Sequence, residues 1–152
     1  MVLRRLGGVG VAVAVTSSVF GLLHLGNPGA GVLSTANVVL AGVWLGVITV
    51  RTRSLWWATG AHIGWNWSHG FVADVPVSGF EVVDAPGYEG VSIGPEWWGG
   101  GAFGPEGSVA STLVLIAATV VCWKARWLRP GPAATRLIDE REHENGIEED
   151  AG

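Results

Sequence analysis

The sequence predicts an all-α, polytopic membrane protein: four transmembrane helices packed around a polar cavity. Three observations carry this. Of 152 residues, 49% are hydrophobic and only 14% are charged, whereas soluble domains carry about 25% charged residues. The 22 charged residues are segregated: four precede Asp74, six lie from Asp74 to Glu106, and twelve lie from Lys124 onward. Between them run uncharged stretches close to the ~20 apolar residues needed to cross a bilayer.

The first span runs over about residues 6–25, after Arg4 and Arg5. Arg4-Arg5 followed by an apolar run is also the pattern of a cleavable signal peptide, but the run continues to Leu25 without a convincingly placed small-x-small pattern and so reads as a retained helix. Gly26-Asn27-Pro28-Gly29 breaks the chain before a second span over residues 32–50. An Arg51-Thr52-Arg53 hinge leads into the third span, residues 54–73, which ends before Pro76. The fourth, residues 108–127, has a short apolar part, but Lys124 and Arg126 can snorkel and Trp123 and Trp127 can anchor at the interface. Residues 1–128 thus form one transmembrane domain, with a Gly/Pro-rich acidic loop over residues 74–107. Residues 129–152 form an acidic tail, which from Pro130 carries seven acids against two bases.

Orientation follows from the basic residues. Arg4/Arg5, Arg51/Arg53 and Lys124/Arg126/Arg129 fall on one side if four helices alternate, and the acidic loop falls on the other. By the positive-inside rule the chain sits in the cell membrane with both termini cytoplasmic. A net charge of −4 without interleaved basic and aromatic residues excludes nucleic acid as a partner. A lone cysteine, Cys122, excludes a disulfide framework. No 20–50-residue period indicates a solenoid.

Polar groups at membrane depth are costly and seldom idle. The spans hold His24, His62, His69, Asn37 and Asn66. His62 and Asn66, four apart, share one helix face, as do Phe20 and His24. Together His24, His62 and Asn66 imply a shared functional cavity. Asn37 and His69 read as structural, one bonding a neighbouring helix and the other near the membrane boundary. Gly42-Val-Trp-Leu-Gly46 and Gly60-Ala-His-Ile-Gly64 are both GxxxG, the spacing of closely packed helices; the second would bring His62 near a neighbouring backbone.

At these residues the chain resembles the CPBP family of CAAX-protease and bacteriocin-processing intramembrane proteases. Phe20-Gly21-Leu22-Leu23-His24 matches its F-x-x-x-H motif, and His62-Ile63-Gly64-Trp65-Asn66 its H-x-x-x-N motif. Asn37, the run from Arg51 to Trp56 and the stretch from Gly99 to Glu106 also resemble family habit. The resemblance spans roughly residues 4–125. It implies an endopeptidase acting on membrane-associated peptide or protein substrates, with His24 holding water and His62 and Asn66 donating to the oxyanion.

The family's E-E-x-x-x-R motif is absent, since no Glu or Asp precedes Asp74. The resemblance places the water-activating carboxylate there, so the chain is expected to be a truncated form without its general base. Glu81, Glu89, Glu96 and Glu106 lie in the loop, where the sequence fixes none of them at the cavity. Missing N-terminal helices, a partner chain or lipid would then have to shield the polar face. Two histidine nitrogens, His24 and His62, are candidate Zn²⁺ ligands, although the carboxylate of an H-E-x-x-H site is lacking. The alternatives are a catalytically inactive membrane protein (a pseudoprotease, immunity or binding component) and a carrier, which should show repeat symmetry or broken half-helices.

Overall fold

The structure, a computed structural model, describes residues 2–82, 87–92, 94–136 and 140, with side chains from Gly7 onward. The side chains of Arg4 and Arg5 and most of the acidic tail lie outside the described residues. Helices dominate: α1 (Val2–Leu23), α2 (Val32–Thr52), α3 (Leu55–Trp67) continued by a π-helical turn (Ser68–Val72), the short α4 (Glu96–Gly99) and α5 (Val109–Lys124). Two 3₁₀ turns, Gly101–Phe103 and Pro105–Gly107, lead into α5. Among the described residues there is no β-strand, only a bridge between Val77 and Phe80.

Start and stop chemistry is local. The Ser34 hydroxyl accepts from the Gly31 N–H (2.7 Å) at the head of α2. Ser108 caps α5 by accepting from the Ser111 N–H at 3.1 Å. In α3 the apolar run continues to Ala73, but the regular helix stops at Trp67. There the Ser68 hydroxyl donates to the Trp65 carbonyl (2.7 Å) and the Ala73 N–H reaches back five residues to Ser68 (3.0 Å). A polar side chain competing for a helical carbonyl accounts for the widened turn.

Central to the bundle is α2, which packs against α1, α5 and α3. The α1–α2 contact rests on glycine: a Cβ at Gly42 would stand 2.8 Å from Ser17 Cα, and one at Gly46 would stand 2.8 Å from Val13. The second GxxxG behaves otherwise, because a Cβ at Gly60 or Gly64 would meet nothing within 4 Å. Those glycines face away from the bundle, so they do not bring His62 to a neighbouring backbone as its spacing predicts. Gly42→Ala should therefore weaken the fold by about 1–3 kcal/mol through overpacking, while Gly60→Ala should leave the melting temperature in detergent essentially unchanged. Equal shifts would remove this distinction.

Small polar side chains share the interior with Val38, Phe103 and Leu115, while many large apolar ones lie outside. Ser17, Ser34, Asn37, Thr52, Ser108 and Ser111 are buried, while Leu23, Val32, Trp56, Ile63 and Trp127 are exposed. Of the described helices, α2 alone is long and apolar enough to cross a membrane; Gly7–Leu23 and Val109–Lys124 are shorter apolar helices. Of the four expected spans, α2 is thus the one that the described residues bear out by length and hydropathy together. The basic hinge and the end of α5 do share one end of the bundle, where Arg51 donates to the Ala125 carbonyl (2.7 Å) beside a cluster of Ile48, Ala58, Ala125 and Leu128.

The acidic loop occupies the other end. Gly79, at φ +87° with the Pro28 carbonyl where its Cβ would be, donates to the Phe103 carbonyl at 2.9 Å. Asn27 donates to the Ser78 carbonyl (2.8 Å). The Ser78–Gly79 turn is thereby seated between the α1–α2 connection and the approach to α5.

Candidate functional site

Three helices meet beneath that turn. His24 follows the last residue of α1, where carbonyls have lost their helical partners. Its Nδ1 lies 2.7 Å from the Phe20 carbonyl, and the two rings stand 4.7 Å apart. The four-residue spacing of F-x-x-x-H thus has a physical purpose: the imidazole caps the carbonyl of the aromatic residue it packs on. With Nδ1–H donating there, the neutral ring keeps its lone pair on Nε2.

Phe20 also meets His62 edge-on, with ring centroids 5.6 Å apart, so one phenyl ring joins α1 to α3. His24 and His62 line a common cavity with Phe20, Asn37, Trp44, Trp65, Ser78 and Glu106. About 20 Å³ of it is open to water centres, enough for at least one water. Asn66 is not among the lining residues; its Nδ2 lies 3.5 Å from His62 Nε2, at the long limit for a hydrogen bond. Its Oδ1 is buried without a hydrogen-bond partner among the described residues. The structure therefore brings His24 and His62 together and sets Asn66 behind His62. His69 sits on the π turn, 4.8 Å edge-on from the Trp65 ring, and lines an outer groove with Trp65, Trp98 and Val114.

Glu106 corrects the expectation of a cavity without a carboxylate. It is 9% exposed, and its side chain is held by three donors. Trp65 Nε1–H donates to Oε1 (2.7 Å). The Ser78 N–H (2.7 Å) and hydroxyl (2.6 Å) both donate to Oε2. Its backbone is fixed as well: Asn37 Nδ2 donates to the carbonyls of Glu106 (2.7 Å) and Ser108 (2.8 Å), while Asn37 Oδ1 accepts from Thr112 (2.7 Å). Asn37 has the structural role its type suggests. The signal for Glu106 lay only in Pro105 and Gly107 beside it, a tight turn that delivers one acid next to a helix start.

The expected metal does not fit this donor set. Among the described residues no three His, Cys, Asp or Glu side chains are grouped to hold a metal ion. The Glu106 carboxylate is engaged by Trp65 and Ser78, which leaves His24 and His62 as the only nitrogen donors for a metal at the cavity among the described residues.

The described residues thus form a helical bundle with a small cavity lined by two histidines, an asparagine and a carboxylate. Residues 1–68, which hold α1, α2, α3 and both histidine motifs, match the sequence model of the type II CAAX prenyl endopeptidase Rce1-like family. The match covers less than half of the 152 residues and is a likeness to that family. No curated protein and no solved structure matches the chain. Glu106 lies beyond the matched segment.

Proposed function

We propose that the chain is an intramembrane endopeptidase of the CAAX-protease type, cutting peptide bonds of membrane-associated substrates. The observation that carries this reading is the water-sized cavity between His24 and His62, with the tautomer of His24 set by the Phe20 carbonyl. A water there donates to His24 Nε2, which takes its proton as the oxygen attacks the scissile carbonyl carbon. The oxyanion accepts from His62 and from the second Nδ2 hydrogen of Asn66. The proton on His24 then passes to the leaving nitrogen as the C–N bond breaks. Lipid covers the exposed Val, Leu and Trp side chains, and the helices span the cell membrane with the basic hinge on the cytoplasmic side.

The test is cleavage of a prenylated peptide with a C-terminal C-a-a-X sequence by the full chain in liposomes. Asn66→Ala should lower turnover about 10²-fold, the effect of losing one oxyanion donor, with the melting temperature retained. Unchanged turnover in that variant would remove Asn66 from the mechanism. No cleavage by the unsubstituted chain, with this peptide and with an unprenylated apolar one, would favour the alternative, a non-catalytic membrane protein.

A further inference from the structure

Three of the four lone-pair directions of the Glu106 carboxylate are occupied by protein donors. So committed a group is suited to holding other groups still. What it holds are two walls of the cavity. Trp65 lines both the inner cavity and the outer groove beside it, so its indole is the partition between them. Ser78, on the far wall, has a left-handed backbone (φ 50°), a conformation a serine keeps only when its surroundings demand it. Every polar atom of Ser78 is tied: carbonyl to Asn27, N–H and hydroxyl to Glu106.

We propose that Glu106 is a positioning residue for hydrolysis, clamping Trp65 and Ser78 so that the water cavity keeps its shape between His24 and His62. The proposal rests on the endopeptidase reading above. It assigns no proton transfer to Glu106.

The chemistry of the clamp gives a discriminating test. In Glu106→Gln, the amide oxygen can replace one carboxylate oxygen only; the NH₂ then confronts either the Trp65 N–H or the Ser78 N–H. Trp65→Phe removes the indole donor and with it that conflict, letting the amide oxygen serve Ser78. Turnover and KM are measured for the unsubstituted chain, the two single variants and the double variant, all full length in liposomes. Glu106→Gln should lower turnover about 10²-fold, as for an ångström-scale misplacement of reacting groups, with KM little changed. Trp65→Phe should lose only several-fold, and the double variant should recover to the level of Trp65→Phe.

A double variant as slow as Glu106→Gln would overturn the proposal and make Glu106 a direct participant. Unchanged turnover in Glu106→Gln would overturn it too. A second readout needs no activity. In the ¹⁵N-tryptophan-labelled chain, the Trp65 indole N–H, assigned by its loss in Trp65→Phe, should exchange slowly with solvent and become fast in Glu106→Gln. Fast exchange in the unsubstituted chain overturns the clamp alone. A slow indole in a chain that cleaves nothing overturns the endopeptidase reading, and the catalytic role of the clamp with it, while leaving the clamp as structure.

Discussion

Replacing His24 by alanine should lower turnover about 10³-fold, within the range for loss of a positioned proton-transfer group, while KM changes little. The imidazole is held by one hydrogen bond to Phe20 and one ring contact, both at the frayed end of α1. Its removal therefore leaves the bundle standing, and the melting temperature should move by only a few degrees. Because the missing group is a small base at the edge of a water-sized cavity, added imidazole should restore part of the activity of His24→Ala. It should restore none to Asn66→Ala, where a neutral donor has been lost. Turnover in His24→Ala equal to that of the unsubstituted chain would remove His24 from the reaction.

The second large effect is on stability. Asn37 is 1% exposed and joins α2 to the head of α5 through two donated bonds and one accepted. Asn37→Ala takes the side-chain donor from the buried Glu106 carbonyl, at about 1–3 kcal/mol, while the Ser108 carbonyl keeps the Thr112 N–H (3.2 Å) and the Thr112 hydroxyl keeps the Ser108 carbonyl (3.3 Å). The melting temperature of the full chain in detergent should fall by ~5 °C or more. Asn37→Asp should do no better, since a carboxylate cannot donate to the Glu106 and Ser108 carbonyls. A shift within a degree or two for both variants would mean that water satisfies those groups as well as Asn37 does.

Much of the site could be read from the chain because its parts obey helical spacing. Phe20 with His24 and His62 with Asn66 are four-residue pairs, and such pairs share a face whatever the tertiary context. The helices followed from long uncharged runs and their Gly/Pro boundaries. What could not be read depends on contacts distant in sequence. Glu106 meets Trp65 across 41 residues through a loop rich in glycine, where no period places a side chain. The two GxxxG motifs show the same limit from the other side. Identical spacing packs Gly42 and Gly46 against α1 and leaves Gly60 and Gly64 facing outward, because spacing defines a stripe but not what lies opposite it. The end of α3 was hidden differently, since its apolar run conceals the local competition by Ser68 for the Trp65 carbonyl.

The long separations that tie the site together also order its biosynthesis. Trp65 waits for Glu106, and Asn37 for Thr112, which follows it by 75 residues. Chains are made from the N-terminus, so α1, α2 and α3 leave the ribosome with both histidines in place before the carboxylate exists. The cavity acquires its final walls only when the start of α5 has been synthesised. A nascent chain halted before residue 106 thus carries the histidine motifs without the clamp, and completion of translation is itself a step in assembling the site.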